Sequence, residues 1–333
     1  MGIEDVDELQ HQPTDEPLWR ESLYFSFHDG GGEIGGMTTI GIYPNQNQVE
    51  GFAAIFLPSP GILLHRTEGT MEPRQAGLFS VRQISYEMLA PLQRWRLIAA
   101  ADFDWVEPEP SAQGVHLVEE KIPAGFDLSF DACSPVYEFP PISLGLLKGA
   151  ARRFEQTGRV KGTVFVDGKT LPLRGLGFRD HSWGVHDFSG LGHVVTLYAQ
   201  FSPRWTVNAV WGIGHGHKVA AGYVCRDGVN VAVDDVQVEL ESDPLSDLPR
   251  LAQAEIRTAD GRSFRLQAQP RSVLPILLRQ GEKQMHWYEC STHFADGQQR
   301  GFGIMEVTRL ARQVRSKGMA DRRSPDGSTG QRG

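Results

Sequence analysis

Val160-Lys161-Gly162-Thr163-Val164-Phe165-Val166-Asp167-Gly168-Lys169-Thr170-Leu171-Pro172-Leu173 is the segment that decides how the chain folds. Two runs suited to extended backbone flank Asp167-Gly168, and an Asp-Gly pair in that setting is the strongest short hairpin signal. The same habit recurs outward from it. Upstream, Leu23–Phe27, Ile34–Ile42, Val49–Leu57, Phe79–Met88, Trp95–Ala101, Gly114–Ile122 and Phe126–Ala132 read as strands, with Pro44-Asn45-Gln46-Asn47 as a hairpin connection. Downstream, His193–Phe201, Trp205–Ile213, Val219–Cys225, Val229–Leu240, Ala254–Thr258, Ser263–Ala268, His286–His293 and Gly301–Thr308 follow. Asp227-Gly228, Asp260-Gly261 and Asp296-Gly297 supply turns between them. Regular strands with few helical periods predict an all-β chain of antiparallel sandwiches or barrels. Pro135–Ala151 breaks the rhythm, and its Pro140-Pro141 before an apolar run suggests a short helix or a lid.

At 333 residues the chain is long enough for two domains. Its formal charge of −8 argues against a nucleic-acid partner. No Gly-rich nucleotide fingerprint opens a helix. Cys133, Cys225 and Cys290 lack metal-ligand spacing and fit a reducing compartment. No apolar run is long enough to span a bilayer, and the acidic start lacks the apolar stretch of a secretion signal, so cytoplasmic residence is the expectation. Residues 1–17 carry six acidic groups and no Lys or Arg, which predicts a mobile acidic N-terminus. Residues 311–333 hold six basic and two acidic groups with little apolar content. That composition predicts a disordered basic tail, with no more than peripheral contact to an acidic lipid face. Two β domains then occupy 18–168 and 169–310.

Directly after the hairpin, Arg179, Asp180, His181, Ser182, Trp183, His186 and Asp187 crowd between Gly177 and Phe188. Such groups are costly to bury unless they satisfy one another. One reading is a polar corner in which Arg179 and Asp180 brace a turn and Trp183 plugs a barrel end. The reading favoured by the density of ionisable groups is the wall of an active site. Strand periodicity adds Glu289 beside Met285 and Trp287, and Glu306 beside Phe302 and Ile304, as carboxylates on otherwise apolar rows. Each either finds an Arg or titrates high. Trp205 and Trp211 share one strand face, as core or as the floor of a cavity, and Tyr198 lies on the strand after the motif.

Two other chemistries are weaker. Ser182, His186 and Asp180 lack the Gly-x-Ser-x-Gly frame of the common hydrolases. His215 and His217, with His193, resemble the first element of a cupin metal set. The Glu expected next is missing, since the chain reads Lys218-Val219-Ala220-Ala221-Gly222, and no metal is assigned.

The run Phe154-Glu155-Gln156-Thr157-Gly158, then Asp167-Gly168, then Gly175-Leu176-Gly177-Phe178-Arg179-Asp180-His181-Ser182-Trp183-Gly184 resembles the carotenoid 1,2-hydratase (hydroxyneurosporene synthase)-like, AttH-like superfamily. Gly301-Phe302-Gly303-Ile304-Met305-Glu306 looks like its closing strand. The resemblance implies two lipocalin-like β domains and cofactor-free chemistry on an apolar unsaturated molecule of terpenoid, carotenoid or polyketide type. The chain departs from the family in placing His186 where Arg is frequent, and Phe188 where Trp is frequent. A histidine there titrates near neutrality and handles protons where Arg only pairs.

Hydrating a C=C bond requires protonating carbon, which a carboxylic acid in a dry pocket achieves. On this reading Asp180 is the acid, His181 orients it, and His186 is a further proton handler. Glu289 or Glu306 takes a proton from water. Trp183, Tyr198, Trp205, Trp211 and Trp287 hold the substrate, while Arg179, Glu155 and Asp187 orient the site. The competing readings are a cyclase or isomerase without water addition, and a non-catalytic carrier of a hydrophobic ligand.

Overall fold

Asp167 and Gly168 both take left-handed backbone, with φ of 49° and 74°, as a two-residue hairpin turn requires. They join β10 (Ala151–Val166) to β11 (Lys169–Val185) in register from Val166↔Lys169 to Ala151↔Gly184. A computed structural model describes residues 2–58, 61–73, 75–106, 117–140, 151–214, 216–280 and 283–310.

The strands before this hairpin are β1 (Trp19–Asp29), β2 (Gly35–Tyr43), β3 (Gln48–Leu57), β4 (Gly61–Thr70), β5 (Leu78–Val81), β6 (Ile84–Ala90), β7 (Arg94–Val106), β8 (Leu117–Ala132) and β9 (Tyr137–Glu138). With β10 and β11 they form one antiparallel sheet in the order β4-β3-β2-β1-β11-β10-β8-β7-β6-β5, and β9 pairs with β10. The sheet curls until β4 meets β7 through Ile62↔Val106, Leu63↔Trp105 and Leu64↔Asp104.

A second antiparallel sheet contains β12 (Leu191–Ser202), β13 (Trp205–Gly214), β14 (His217–Arg226), β15 (Val229–Ser242), β16 (Pro249–Thr258), β17 (Ser263–Gln280), β18 (Lys283–Ala295) and β19 (Arg300–Leu310). Neighbours in sequence pair in turn, and β19 returns to β12, giving a closed barrel. Gly303 makes that closure possible. At φ 152° an added Cβ would lie 1.9 Å from the Tyr198 carbonyl oxygen. Among the described residues the helical content is three short 3-10 turns, Asp5–Glu8, Pro44–Gln46 and Phe188–Gly190. Among the described residues, no helix is long and apolar enough to cross a membrane. The expectation of an almost all-β chain with two antiparallel sheets therefore holds.

Each sheet wraps its own core. Phe25, Tyr86, Trp95 and Phe126 fill the first, and Val207, Tyr288, Phe294 and Met305 the second. A third cluster, including Tyr24, Phe56, Phe178, Tyr198, Leu274 and Ile304, joins the outer face of one sheet to the outer face of the other.

Two boundaries need correction. Since β11 pairs with β1 from Trp19↔Val185 to Asp29↔Gly175, Arg179–Trp183 belong to the first sheet. The division falls between Val185 and Leu191 rather than at 168/169, because a tight hairpin links adjacent strands of one sheet. The N-terminus is also docked rather than mobile. Glu8 is fully buried and accepts hydrogen bonds from Arg179 Nη1 and Nη2 at 3.0 and 2.6 Å, and from the Leu92 N–H at 2.8 Å. A guanidinium inside a core needs such a partner. Residues 311–333, expected as a tail, lie outside the described residues, as do 141–150, most of the expected helix or lid.

Truncating one side of the Glu8–Arg179 pair leaves a buried charge uncompensated. Glu8→Ala is expected to lower unfolding free energy by about 3 kcal/mol in urea titration. A loss below about 1 kcal/mol would mark the pair as no stronger than a surface ion pair.

Candidate active site

The burial pattern of β11 explains the crowding in its sequence. Phe178 through Gly184 are all buried, because one face of the strand meets its own core and the other meets the second sheet. Successive side chains point to opposite faces. Phe178, Asp180 and Ser182 face the space between the sheets, and Arg179, His181 and Trp183 face the first core.

That space contains a cavity of about 750 Å³. The first sheet and its flanks contribute Arg20, Tyr24, Arg153, Asp180, Ser182 and His186, and the second Tyr198, Trp287, Glu289 and Glu306. Met37, Phe52, Val194 and Ile276 make parts of its wall apolar. The chamber lies between the sheets and not within either packed core.

Arg153 organises the polar wall. Its guanidinium lies 2.7 Å from Glu155 Oε1 and 3.2 Å from Asp180 Oδ2, and its Nη2 donates to Tyr198 Oη at 3.0 Å. Glu155 also accepts from the Asn208 amide. Burial pushes the Glu155 carboxyl up to about 8, against the pull of Arg153. Burial likewise raises Asp180, again opposed by Arg153.

Glu289 is different. It faces Glu306 across the β18–β19 register, accepts from Trp287 Nε1 at 3.2 Å, and leaves Oε2 buried without a partner. Burial, reinforced by the Glu306 carboxyl, holds its proton well above the usual carboxylate range. Burial pushes Glu306 up to about 7. The Tyr24 hydroxyl is also buried and unpartnered, and burial and then Glu289 raise it.

His186 departs from the sequence expectation. Its Nδ1 lies 3.0 Å from the Gly184 carbonyl and its Nε2 3.4 Å from Ser182 Oγ. Burial, with Arg20 adding to it, lowers it to about 3, so it is a neutral imidazole at working pH. Because its Nδ1 serves Gly184, no Ser–His–Asp relay through Asp180 forms.

The cavity thus gathers Asp180, His186, Glu289, Glu306, Tyr198 and Trp287 from the residues picked out in sequence. It does not gather the others. His181 contacts Glu21 Oε1 at 2.9 Å on the face opposite Asp180, so it cannot orient that carboxyl. Arg179 serves Glu8 and Gln156, not a turn with Asp180. Trp183 stacks on His11 at 3.8 Å, Trp205 donates to Asp296 at 3.1 Å inside the second core, and Trp211 packs edge-on to His193. Asp187 is not among the cavity-lining residues, and Glu155 acts on the cavity through Arg153. His215 lies outside the described residues, and His217 is exposed. Sequence reasoning missed Arg153, two residues before Glu155 on β10, and Tyr24, which lies on a predicted strand and directly opposite Asp180 in the β1–β11 pairing.

The family model described as "Domain of unknown function (DUF7064)" matches residues 4–311. No curated protein matches the chain. Among solved structures it is similar to a Nitrosomonas europaea protein provisionally named AttH, at 14% identity and TM-score 0.63, covering 87% of this chain and 92% of that one. Kievitone hydratase from Nectria haematococca is similar at 11% identity and TM-score 0.59, with coverage of 92% and 93%. CghA with Sch210972 is similar at 13% identity and TM-score 0.55, with 88% of each chain covered. At these identities the similarities show a shared fold.

The neutral state of His186 is directly observable. Long-range ¹H–¹⁵N spectra are expected to show a single neutral tautomer, protonated at Nδ1, from about pH 5 to 8. A midpoint near the unperturbed value of about 6.5 would contradict the geometry.

Proposed function

We propose, from the premise that the chain belongs to the DUF7064 family and shares its fold with kievitone hydratase and CghA, that it is a hydratase or dehydratase acting on a C=C bond of a largely apolar molecule. The observation that carries this reading is the Glu289 carboxyl. It is buried, it faces a chamber with apolar walls, one oxygen has no partner, and no guanidinium neutralises it. A carboxylic acid kept neutral in this way is the kind of donor that protonating carbon demands.

On this account Asp180 serves as the base rather than the acid, since Arg153 at 3.2 Å opposes the rise that burial causes in its carboxyl. Glu289 delivers its proton to one alkene carbon. Positive charge develops on the other carbon, beside the Trp287 ring and the surrounding carboxylates. Water adds there, and Asp180 takes the proton it releases. The new C–H and C–OH bonds account for one water added, and a proton passing from Asp180 back to Glu289 through solvent resets the pair. Dehydration runs the same steps in reverse. Tyr24 and Tyr198 hydroxyls orient the water, and Arg153 holds the Asp180 carboxyl in place.

Mass spectrometry after incubating the purified chain with an apolar metabolite extract in ¹⁸O-water tests this. The expected product carries one labelled oxygen and the mass of one added water. A product of unchanged mass would make the protein a cyclase or isomerase, and a ligand recovered intact would make it a carrier. Glu289→Gln is expected to lower turnover by about 10²–10⁴-fold with the fold intact. In the native chain, hydration should slow only at alkaline pH, after Glu306 has ionised at about 7 and where Glu289, held well above the usual carboxylate range, loses its proton. A rate that rises across that range would remove the carboxyl pair as acid.

A further inference from the structure

Away from the cavity, at the inward face of the first sheet, three side chains from distant parts of the chain converge. His11 Nδ1 and His181 Nε2 lie 2.8 and 2.9 Å from the same oxygen, Glu21 Oε1. All three ligand atoms fall within 4.8 Å of one another. Glu21 and His181 are diagonal neighbours on paired strands, since Glu21 opposes Trp183 and Leu23 opposes His181. His11 reaches them from the N-terminal segment, stacked on Trp183. Its own backbone N–H donates to Glu21 Oε2 at 3.1 Å, which steadies the carboxylate.

The far nitrogens of both rings are equally placed. His181 Nδ1 is buried without a hydrogen-bond partner, and Glu8 Oε2 lies 4.0 Å from it. His11 Nε2 lies 3.8 Å from Asp7 Oδ1. A histidine that ligates a metal through one nitrogen usually turns its other N–H toward a carboxylate, which fixes the tautomer and strengthens the ligand. Here each ring has that carboxylate waiting, and each carboxylate is itself held, Glu8 by Arg179 and Asp7 by Arg152 at 3.3 Å. The 2.8–2.9 Å separations between donor atoms are hydrogen-bond distances, and an ion held by bonds of about 2.0–2.2 Å would widen them by roughly half an ångström to tetrahedral edges.

We propose that His11, Glu21 and His181 form a binding site for a borderline divalent transition-metal ion of the zinc class, which pins the N-terminal segment to the first sheet. Two imidazoles and one carboxylate are a donor set that such ions accept. In the loaded site His181 carries its proton on Nδ1 toward Glu8, and His11 carries its proton on Nε2 toward Asp7. The partly exposed edge of His11, with its side chain 19% accessible, gives the ion its route in and water the remaining position. The site shares no residue with the cavity wall, so its role is structural and independent of the reaction proposed above.

The test uses the full-length chain without an affinity tag, stripped with a chelator and then dialysed against micromolar Zn²⁺. Elemental analysis is expected to find one zinc per chain, and zinc is expected to raise the thermal midpoint. His11→Ala and Glu21→Gln should return zinc to background and abolish the thermal shift. His11→Gln, which retains a donor toward Glu21, guards against loss of the fold, with near-UV circular dichroism as the check. A stripped native chain that takes up no zinc, or a folded His11 variant that binds as much as the native chain, would overturn the assignment.

Discussion

A single guanidinium shared among acids sets the character of the interior. Arg153 is in contact with Glu155, Asp180 and Tyr198, while Glu289 and Glu306 complete the acidic wall a little further on. A low-dielectric space does not hold four carboxylates against the cations present. Some of these groups therefore keep their protons. Burial raises Glu155 to about 8 even beside Arg153, and it raises Glu289 further above its usual range, where Trp287 donates to it and no guanidinium opposes the rise. From that imbalance come the acid, the base and their separation into different roles.

The architecture makes the imbalance tolerable. The chamber is built from the outer faces of two sheets whose inner faces are already packed, so its polar groups do not compete with either core. Strand β11 is the hinge of the arrangement because it is covered on both sides. Its alternate residues serve two unrelated ends: Asp180 and Ser182 enter the chamber, while Arg179 and His181 tie down the N-terminal segment through Glu8 and Glu21. A motif that reads as one cluster in sequence is two clusters in space, back to back.

Much of this was legible in the chain itself. The Asp167-Gly168 hairpin and the later Asp-Gly turns announced the strands, and the apolar rows around Glu289 and Glu306 marked two carboxyls that do reach the cavity. Periodicity also held the key to what was misjudged. Asp180 and His181 are adjacent, and adjacent residues in a strand cannot share a face. Reading the segment as a single cluster, whether an active-site wall or a polar corner, hides that alternation. The burial of Glu8 had no local signal, since an acidic stretch with few apolar residues looks solvated until a buried Arg179 claims one of its carboxylates. Nor does anything in the spacing of positions 11, 21 and 181 reveal that three side chains meet.

The central claim is that the chamber between the sheets keeps a carboxyl group protonated at neutral pH. Difference infrared spectroscopy across a pH titration, with Glu289→Gln as the reference, reads this directly. A carbonyl band of a protonated acid that persists at neutral pH in the native chain and vanishes in the variant is the predicted result. Complete ionisation of every carboxyl within the ordinary carboxylate range would contradict it.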